Sequence, residues 1–451
     1  MCGKLRECVV ANEDSSRKYR SCNVCVEENK VCKCVDDDAQ RHPQANSSFS
    51  HAVLNMIGML IGLGQLSTPY ALQNGGWSSS FLLIGLGIIC AYTSHILGKC
   101  LDKNPKLNSY TDIGHEAFGK KGRIIAATFI YIEIFMALVS YTISLHDNLT
   151  TVFSGITTFE NIPAPITTSQ LLTTIAVLIA LPSIWLRDLS SISFLSFGGI
   201  LMSLVIFGSV SFTAISGAVK PVQSIPVLQL RKIPAISGLY VFSYAGHIVF
   251  PNLYKSMKDP SQFTKVSIVS FTSVTILYTG LGFLGAKMFG SSVNSQITLS
   301  LPTHLVITKI ALWATVLTPM TKYALEFAPF AIQLEQNLPA SMASRTKMIV
   351  RSSTGSIFLI LILVLALSVP YFQYVLNLTG SLISVCISII LPCIFYLKTC
   401  WRSSSNQIIS KPVLILNLIL IAFGCVIGAL GSVSSFKLLV EHLNRSHSSS
   451  T

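Results

Sequence analysis

Two stretches decide the fold: GMLIGLGQLSTP, running from Gly58 to Pro69, and SYAGHIVFP, from Ser243 to Pro251. Each interrupts an apolar run long enough to cross a bilayer, and each is dense in Gly, Pro and polar side chains. Lipid cannot satisfy backbone groups that leave the helix ladder, so such interruptions persist only where they are buried in protein or line a cavity. A pair of Gly/Pro-interrupted spans at matching positions of two halves points to a mid-membrane substrate site. The pattern predicts a carrier of a small polar solute.

Composition agrees with a membrane setting. Of 451 residues, 51% are hydrophobic and 11% charged, and the mean hydropathy is +0.61, a balance that predicts an all-α polytopic membrane protein. Eleven apolar runs are long enough to cross the hydrocarbon, beginning near Phe49, Trp77, Arg123, Gln170, Leu189, Pro234, Val266, His304, Ser352, Tyr371 and Lys411. With the N-terminus in the cytosol, sixteen Lys and Arg fall in the loops on that side, six of them between Lys99 and Arg123. The opposite side carries Lys220, Arg231, Lys232, Lys437 and Arg445. This asymmetry places the N-terminus inside and, after eleven crossings, the C-terminus outside. The net charge of +13 is therefore read as topology. Nucleic-acid binding is excluded because the basic residues are dispersed over loops and interleave with no aromatic platform.

Residues 1–48 form a cytosolic tail with eight Lys or Arg, eight Asp or Glu and six of the twelve cysteines. No signal-peptide core precedes the first run, so these thiols are expected to stay reduced. The spacing Cys22-x2-Cys25-x6-Cys32-x-Cys34 is a candidate zinc site, since four thiolates in one short loop can converge on an ion. The alternatives are a disordered tail with solvated thiols, which is the favoured reading, or acylated cysteines. Residues 49–440 form the membrane domain and 441–451 a short tail on the far side. Catalytic motifs such as HExxH, GxSxG or a Walker loop do not occur, so an enzyme is not expected.

Breaks five spans apart have a topological consequence. An odd-span unit that repeats lies upside down in its second copy, relating spans 1–5 to spans 6–10 by an in-plane pseudo-dyad and leaving span 11 as an appendage. The half-helix beginning near Gly64 then presents unpaired N–H groups and a positive dipole end to a carboxylate, while freed carbonyls near Ser243 to Gly246 accept from an ammonium. The competing explanation is that the glycines only let helices approach closely.

The segments GLGQLSTPYALQNGGW (Gly62 to Trp77), YVFSYAGHIVFPNLYKSMKDPSQF (Tyr240 to Phe263), MFGSSVNSQITLSLP (Met288 to Pro302), TKYALEFAPFAIQLEQNLP (Thr321 to Pro339) and PYFQYVLNLTGS (Pro370 to Ser381) resemble the amino acid/auxin permease family, most closely its plant vacuolar amino acid transporters. The resemblance covers roughly Phe49 to Val440. It implies a LeuT-type 5+5 inverted repeat plus one helix, and proton-coupled movement of amino acids, expected to be neutral, across the vacuolar membrane, with export or proton antiport as in many vacuolar members. Alternatives are an importer of the same fold in the plasma membrane or another endomembrane, and an amino acid sensor or scaffold that binds without turnover. Gly58 stands where many relatives carry Asn, Ser140 where they often carry Glu, and Met136 where they often carry Gly. Asn55 lies nearly one helical turn before Gly58.

The expected substrate site comprises Gly58, Gly62, Gly64, Gln65, Ser243, Ala245, Gly246 and His247. No cofactor is expected, protons being the coupling ion, with Glu133, His247, Asn55, Thr315 and Thr318 as candidates to couple them. Lys322 and Glu326, four apart on one helix face, are expected to pair locally. Asn148 and Asn444 open sequons and are expected to be glycosylated on the far side, whereas Asn46 is cytosolic. In sealed vesicles, Asn46 should carry no glycan and an epitope at the C-terminus should resist protease added from the cytosolic side. Cleavage of that epitope would refute an odd number of crossings.

Overall fold

The computed structural model describes residues 47–154, 167–185, 189–221, 225–339, 341–369, 371–402 and 410–448. The tail cysteines Cys22, Cys25, Cys32 and Cys34, with their zinc candidate, lie outside the described residues. What is described is helical, apart from turns and one isolated bridge between Ser47 and Met257.

The first break separates α1 (Phe49–Leu60) from α2 (Gly64–Gly75), two helices bent by 58°. Ser48 starts α1 by accepting from the His51 amide at 3.4 Å, and the Gly62-Leu63-Gly64 run ends it. Pro69 lies inside α2 and lacks the N–H that would bond Gln65; the Thr68 hydroxyl takes that carbonyl instead, at 3.0 Å. Gly76, at φ 80°, stops α2 in a conformation that favours glycine.

Next come α3 (Ser79–Lys103) and α4 (Tyr110–Val152). The run expected to begin near Arg123 is the longer part of α4, which is kinked at Phe118 and at Gly119, the latter at φ 62°. Then follow α5 (Thr168–Ile184), α6 (Leu189–Ile215), and the half-helices α7 (Ile233–Ser243) and α8 (Phe250–Ser256), between which the second break lies. The remaining helices are α9 (Phe263–Phe289), α10 (Val306–Asn337), α11 (Ser344–Ser368), α12 (Phe372–Thr379), α13 (Leu391–Arg402) and α14 (Lys411–Ser448). Two wide π turns, Gly380–Ser384 and Cys386–Ile390, join α12 to α13.

Among the described residues, seven helices are long and apolar enough to cross a membrane, or eight if α1 and α2 form one bent span. That is fewer than the eleven expected, and the reasons are local. Helix α5 has only 17 residues. The α7–α8 pair is cut into pieces of 11 and 7 residues. Helix α10 carries Lys309, Lys322, Glu326 and Glu335, charges that a lipid-facing helix avoids and a functional one keeps.

Packing brings the broken elements to the middle. Helix α9 packs on α1, α2 and α3, α10 packs on α4 and α6, and α7 packs on α2, α12 and α14. The closest crossing joins Gly238 of α7 to Gly380, where an added Cβ would lie 2.6 Å from the Gly238 carbonyl carbon. Small residues let backbones approach in this way within membranes. Gly380→Ala should therefore destabilise the protein by about 1–3 kcal/mol through overpacking, measured as a lower melting temperature of the detergent-purified protein. An unchanged melting temperature would contradict so tight a crossing.

Candidate functional site

The last carbonyls of α1 lose their helical partners at the first break, and other spans supply replacements. The Lys322 ammonium, 1% exposed, donates to the Gly58 carbonyl at 2.8 Å. The Tyr278 hydroxyl donates to the Leu60 carbonyl at 2.9 Å. An ammonium suits this place because the C-terminal end of a helix concentrates partial negative charge. At the other side of the break the cap residue of α2, Leu63, offers no side-chain cap, and the positive dipole end of that helix is turned to the break.

The second break runs from Tyr244 to Val249 and returns few of its carbonyls to backbone bonds; Val249 donates to Gly246 at 3.0 Å. The two breaks touch through Gly64, where a Cβ would lie 2.5 Å from Ser243 Cα. Between them is a cavity of about 50 Å3, lined by Gly62, Leu63 and Gly64, by Phe242, Ser243, Ala245 and Gly246, and by Glu133, Tyr141 and Glu326 among others. Each water needs roughly 10–15 Å3 of such space, so in this conformation the breaks close around room for a few waters. A larger cavity, about 780 Å3, lies between α3 and α9 on a wall dominated by Ile, Ala, Gly and Thr. Its polar groups, among them Tyr92, His95 and Thr264, include no carboxylate and no part of either break, which is why the smaller cavity, lined by both breaks and two carboxylates, is the candidate site.

Glu133 is 6% exposed and held from the opposite wall, where the Ser384 hydroxyl lies 2.8 and 3.0 Å from its two oxygens. Ser384 belongs to the first wide turn between α12 and α13, a geometry that recurs at functional sites because it rotates side chains out of helical register.

Five of the eight expected substrate-site residues line the cavity: Gly62, Gly64, Ser243, Ala245 and Gly246. Gly58, Gln65 and His247 do not. Gly58 contributes its carbonyl to Lys322 instead, and Gln65 is buried beneath the break. His247 is fully buried and turned towards α3, with Nε2 2.9 Å from the Thr93 hydroxyl and 3.2 Å from the Cys90 carbonyl. Its ring rests on Phe250 and Phe271. It therefore tethers the second break to α3 rather than facing a substrate or Glu133.

Of the other coupling candidates, Glu133 alone reaches the cavity. Asn55 is half-buried on α1. Thr315 and Thr318 bond carbonyls of their own helix, those of Ala311 at 2.9 Å and Ala314 at 2.8 Å. No direct salt bridge joins Lys322 to Glu326 among the described residues, although their opposite charges interact along the helix face; the ammonium gives its hydrogen bond to the Gly58 carbonyl.

Asn148, expected to carry a glycan, does not lie on the surface. Its side chain is wholly buried, and its amide donates to the Ser144 carbonyl and to Gln296 Oε1, both at 2.8 Å. Gln296 in turn donates to Asp147 at 2.7 Å, so the sequon lies within a polar network joining α4 to the segment before α10. Asn444 is exposed on α14.

Tyr141, Phe242, Glu326 and Ser384 are site residues that the sequence reading missed. Glu326 enters the sequence reading only as a partner for Lys322, and the signal for Ser384 is the polar and small run NLTGSLIS, residues 377–384, in an otherwise apolar span.

Residues 45–437 match the family described as transmembrane amino acid transporter protein. The chain is 62% identical to amino acid transporter AVT1H of Arabidopsis thaliana, over 94% of this chain and 99% of the relative. It is 38% identical to amino acid transporter AVT1B of the same plant, over 88% of this chain and 72% of the relative. With the vesicular GABA transporter of Caenorhabditis elegans it shares 26% identity, over 84% of this chain and 78% of the relative. Among solved structures, MhsT in complex with L-phenylalanine matches with a TM-score of 0.54 at 13% identity, over 85% of this chain and 98% of that one, a likeness of fold.

The two glycines of the first break should respond differently to substitution. A Cβ at Gly64 meets the Ser243 backbone, which cannot retreat, whereas one at Gly62 meets only the Tyr141 hydroxyl, also at 2.5 Å. Gly64→Ala is expected to cost about 1–3 kcal/mol of stability and to abolish uptake of labelled amino acid in proteoliposomes. Gly62→Ala should keep part of that uptake, and adding Tyr141→Phe should restore more. Equal damage from both substitutions would show that the contact with Ser243 is not what sets Gly64 apart.

Proposed function

Because the chain belongs to the transmembrane amino acid transporter family, and is a multipass transporter rather than an enzyme, we propose that it is a proton-coupled secondary carrier of amino acids in the vacuolar membrane. It works by alternating access across eleven spans, ten of them forming two inverted five-span repeats. The N-terminus is cytosolic. The AVT1 relatives support the vacuolar placement, and the family supports the amino acid substrate.

The observation that carries the reading is that both breaks and Glu133 line one cavity. A free amino acid bears a carboxylate and an ammonium on the same carbon. The uncapped start of α2 is complementary to the first and the carbonyls around Ser243 to Ala245 to the second. Glu133 is the carboxylate placed to exchange a proton with that cavity. A carrier needs a group whose charge differs between its two faces, and a buried carboxylate that loses its proton only when exposed to one side meets that need. His247, turned to Thr93 and the Cys90 carbonyl rather than into the cavity, keeps a tethering role.

Full-length protein in proteoliposomes should accumulate labelled amino acids against their gradient when a pH gradient is imposed, and should not do so without one. Glu133→Gln keeps a hydrogen-bonding partner for Ser384 but cannot ionise. It should reduce pH-driven accumulation by roughly tenfold or more, the equivalent of about 1.4 kcal/mol, while equilibrative exchange persists. Wild-type accumulation by this variant would remove Glu133 from proton coupling. Binding without any flux, in either direction, would favour the sensor reading.

A further inference from the structure

The cavity of about 780 Å3 between α3 and α9 takes no part in the site between the breaks. Ile88, Ile268 and Ile276 on its rim are more than half exposed. It therefore opens outward, and around two helices apolar enough to cross a membrane that direction is lipid. From His95 to Ile84 it follows eleven residues of α3, about 17 Å of helix. That is roughly the depth of one leaflet in a hydrocarbon core of about 30 Å. The larger polar groups gather at one end. His95 Nδ1 lies 2.7 Å from the Thr264 hydroxyl, and the Tyr92 hydroxyl accepts from Asn417 of α14 at 2.8 Å, whereas Ile84, Ile276 and Gly280 line the other end.

Beyond its polar end the chain turns basic. Residues 95–103, which end α3, and 258–265, which lead into α9, carry Lys99, Lys103, Lys258 and Lys265 against Asp102 and Asp259. Lys411 opens α14 six residues before Asn417. The Lys99–Asp102 pair, at 3.7 Å, is about half exposed and binds weakly for that reason, while Asp259 is taken up by Ser261 and Gln262. Such an excess of lysine beside an apolar groove attracts an anionic headgroup. On its inner side the groove backs on the second break: the Phe271 ring lies 6.0 Å from Tyr244 and 6.2 Å from His247, and the Thr275 hydroxyl bonds Tyr244 at 2.9 Å. We propose that the groove holds one acyl chain of an anionic phospholipid, its headgroup over Lys99 and Lys265, and that this lipid buttresses the second break from behind. A sterol would bring no charge to the lysines, and a phosphatidylcholine would bring a cation beside its phosphate. The effect on transport, and the assignment of the lipid to the cytosolic leaflet, rest on the proposed function; the binding site does not.

The test uses full-length protein, stripped of lipid in detergent, and phosphatidylserine with a photoreactive group on one acyl chain. After illumination, mass spectrometry should find the adduct on peptides of α3 and α9 that contain Ile88 and Ile276. Unlabelled phosphatidylserine should suppress it at a concentration roughly tenfold or more below phosphatidylcholine or a sterol. Lys99→Gln with Lys265→Gln should erase that preference. Ile88→Trp with Ile276→Trp, at positions that already face lipid, should fill the groove and remove the adduct. In proteoliposomes, adding phosphatidylserine to phosphatidylcholine should raise amino acid uptake roughly threefold or more in the wild type and not in the double tryptophan variant, the two being alike in phosphatidylcholine alone. Equal suppression by phosphatidylcholine would mean ordinary surrounding lipid and overturn the proposal, as would suppression by the sterol alone or adducts away from α3 and α9. Specific labelling with uptake indifferent to phosphatidylserine would refute the buttress. Specific labelling with no uptake in any lipid would sink the carrier reading and leave the lipid site standing.

Discussion

The arrangement depends on one requirement: a backbone that leaves the helical ladder inside a bilayer must find new hydrogen-bond partners within the protein. At the first break the principal partner is the buried ammonium of Lys322, bonded to the Gly58 carbonyl. A lysine in mid-membrane is costly on its own, and an orphaned carbonyl at a helix end is costly on its own. Together they satisfy each other, and the negative end of the α1 dipole adds to the attraction. Tyr278 and Thr68 complete the repair on either side of the bend. The glycine at position 58 is thus buried where its carbonyl serves the fold, while the carbons of Gly62 and Gly64 face the cavity.

The second break is repaired differently. His247 reaches across to Thr93 and the Cys90 carbonyl, and Tyr244 bonds the Thr275 hydroxyl at 2.9 Å. These are links through neutral groups to α3 and α9, whereas the first break is held by a charge from α10. The two halves of the site are therefore anchored to different parts of the helical body, with Gly64 against Ser243 as their point of contact.

Much of this was legible in the sequence because it follows from composition along the chain. The interruptions at Gly58–Pro69 and Ser243–Pro251 announce themselves as Gly, Pro and polar residues in apolar runs, and they do form the breaks that face each other. What lay beyond the sequence was direction across the bundle. His247 sits in the second break, but whether it points to the cavity or to α3 depends on the local turn, which no spacing rule specifies. The four-residue interval between Lys322 and Glu326 correctly predicts a shared helix face and says nothing of a carbonyl arriving from another span. The Asn148 sequon is readable as a motif, whereas its burial against Gln296, 148 residues away in the chain, is not. Ser384 was hidden because the wide turns between α12 and α13 break the 3.6-residue period by which a helical face is traced.

Helix α10 connects these observations. It supplies Lys322 to the first break and Glu326 to the cavity, about 6 Å apart along one face. A rigid helix cannot move one of these groups without moving the other. A change in what Glu326 meets is thereby felt at the Gly58 carbonyl, where α1 ends and the first break begins. Placing both charges on one helix makes the electrostatics of the cavity and the geometry of the break parts of a single mechanical element, which neither carboxylate alone nor the glycines alone would achieve.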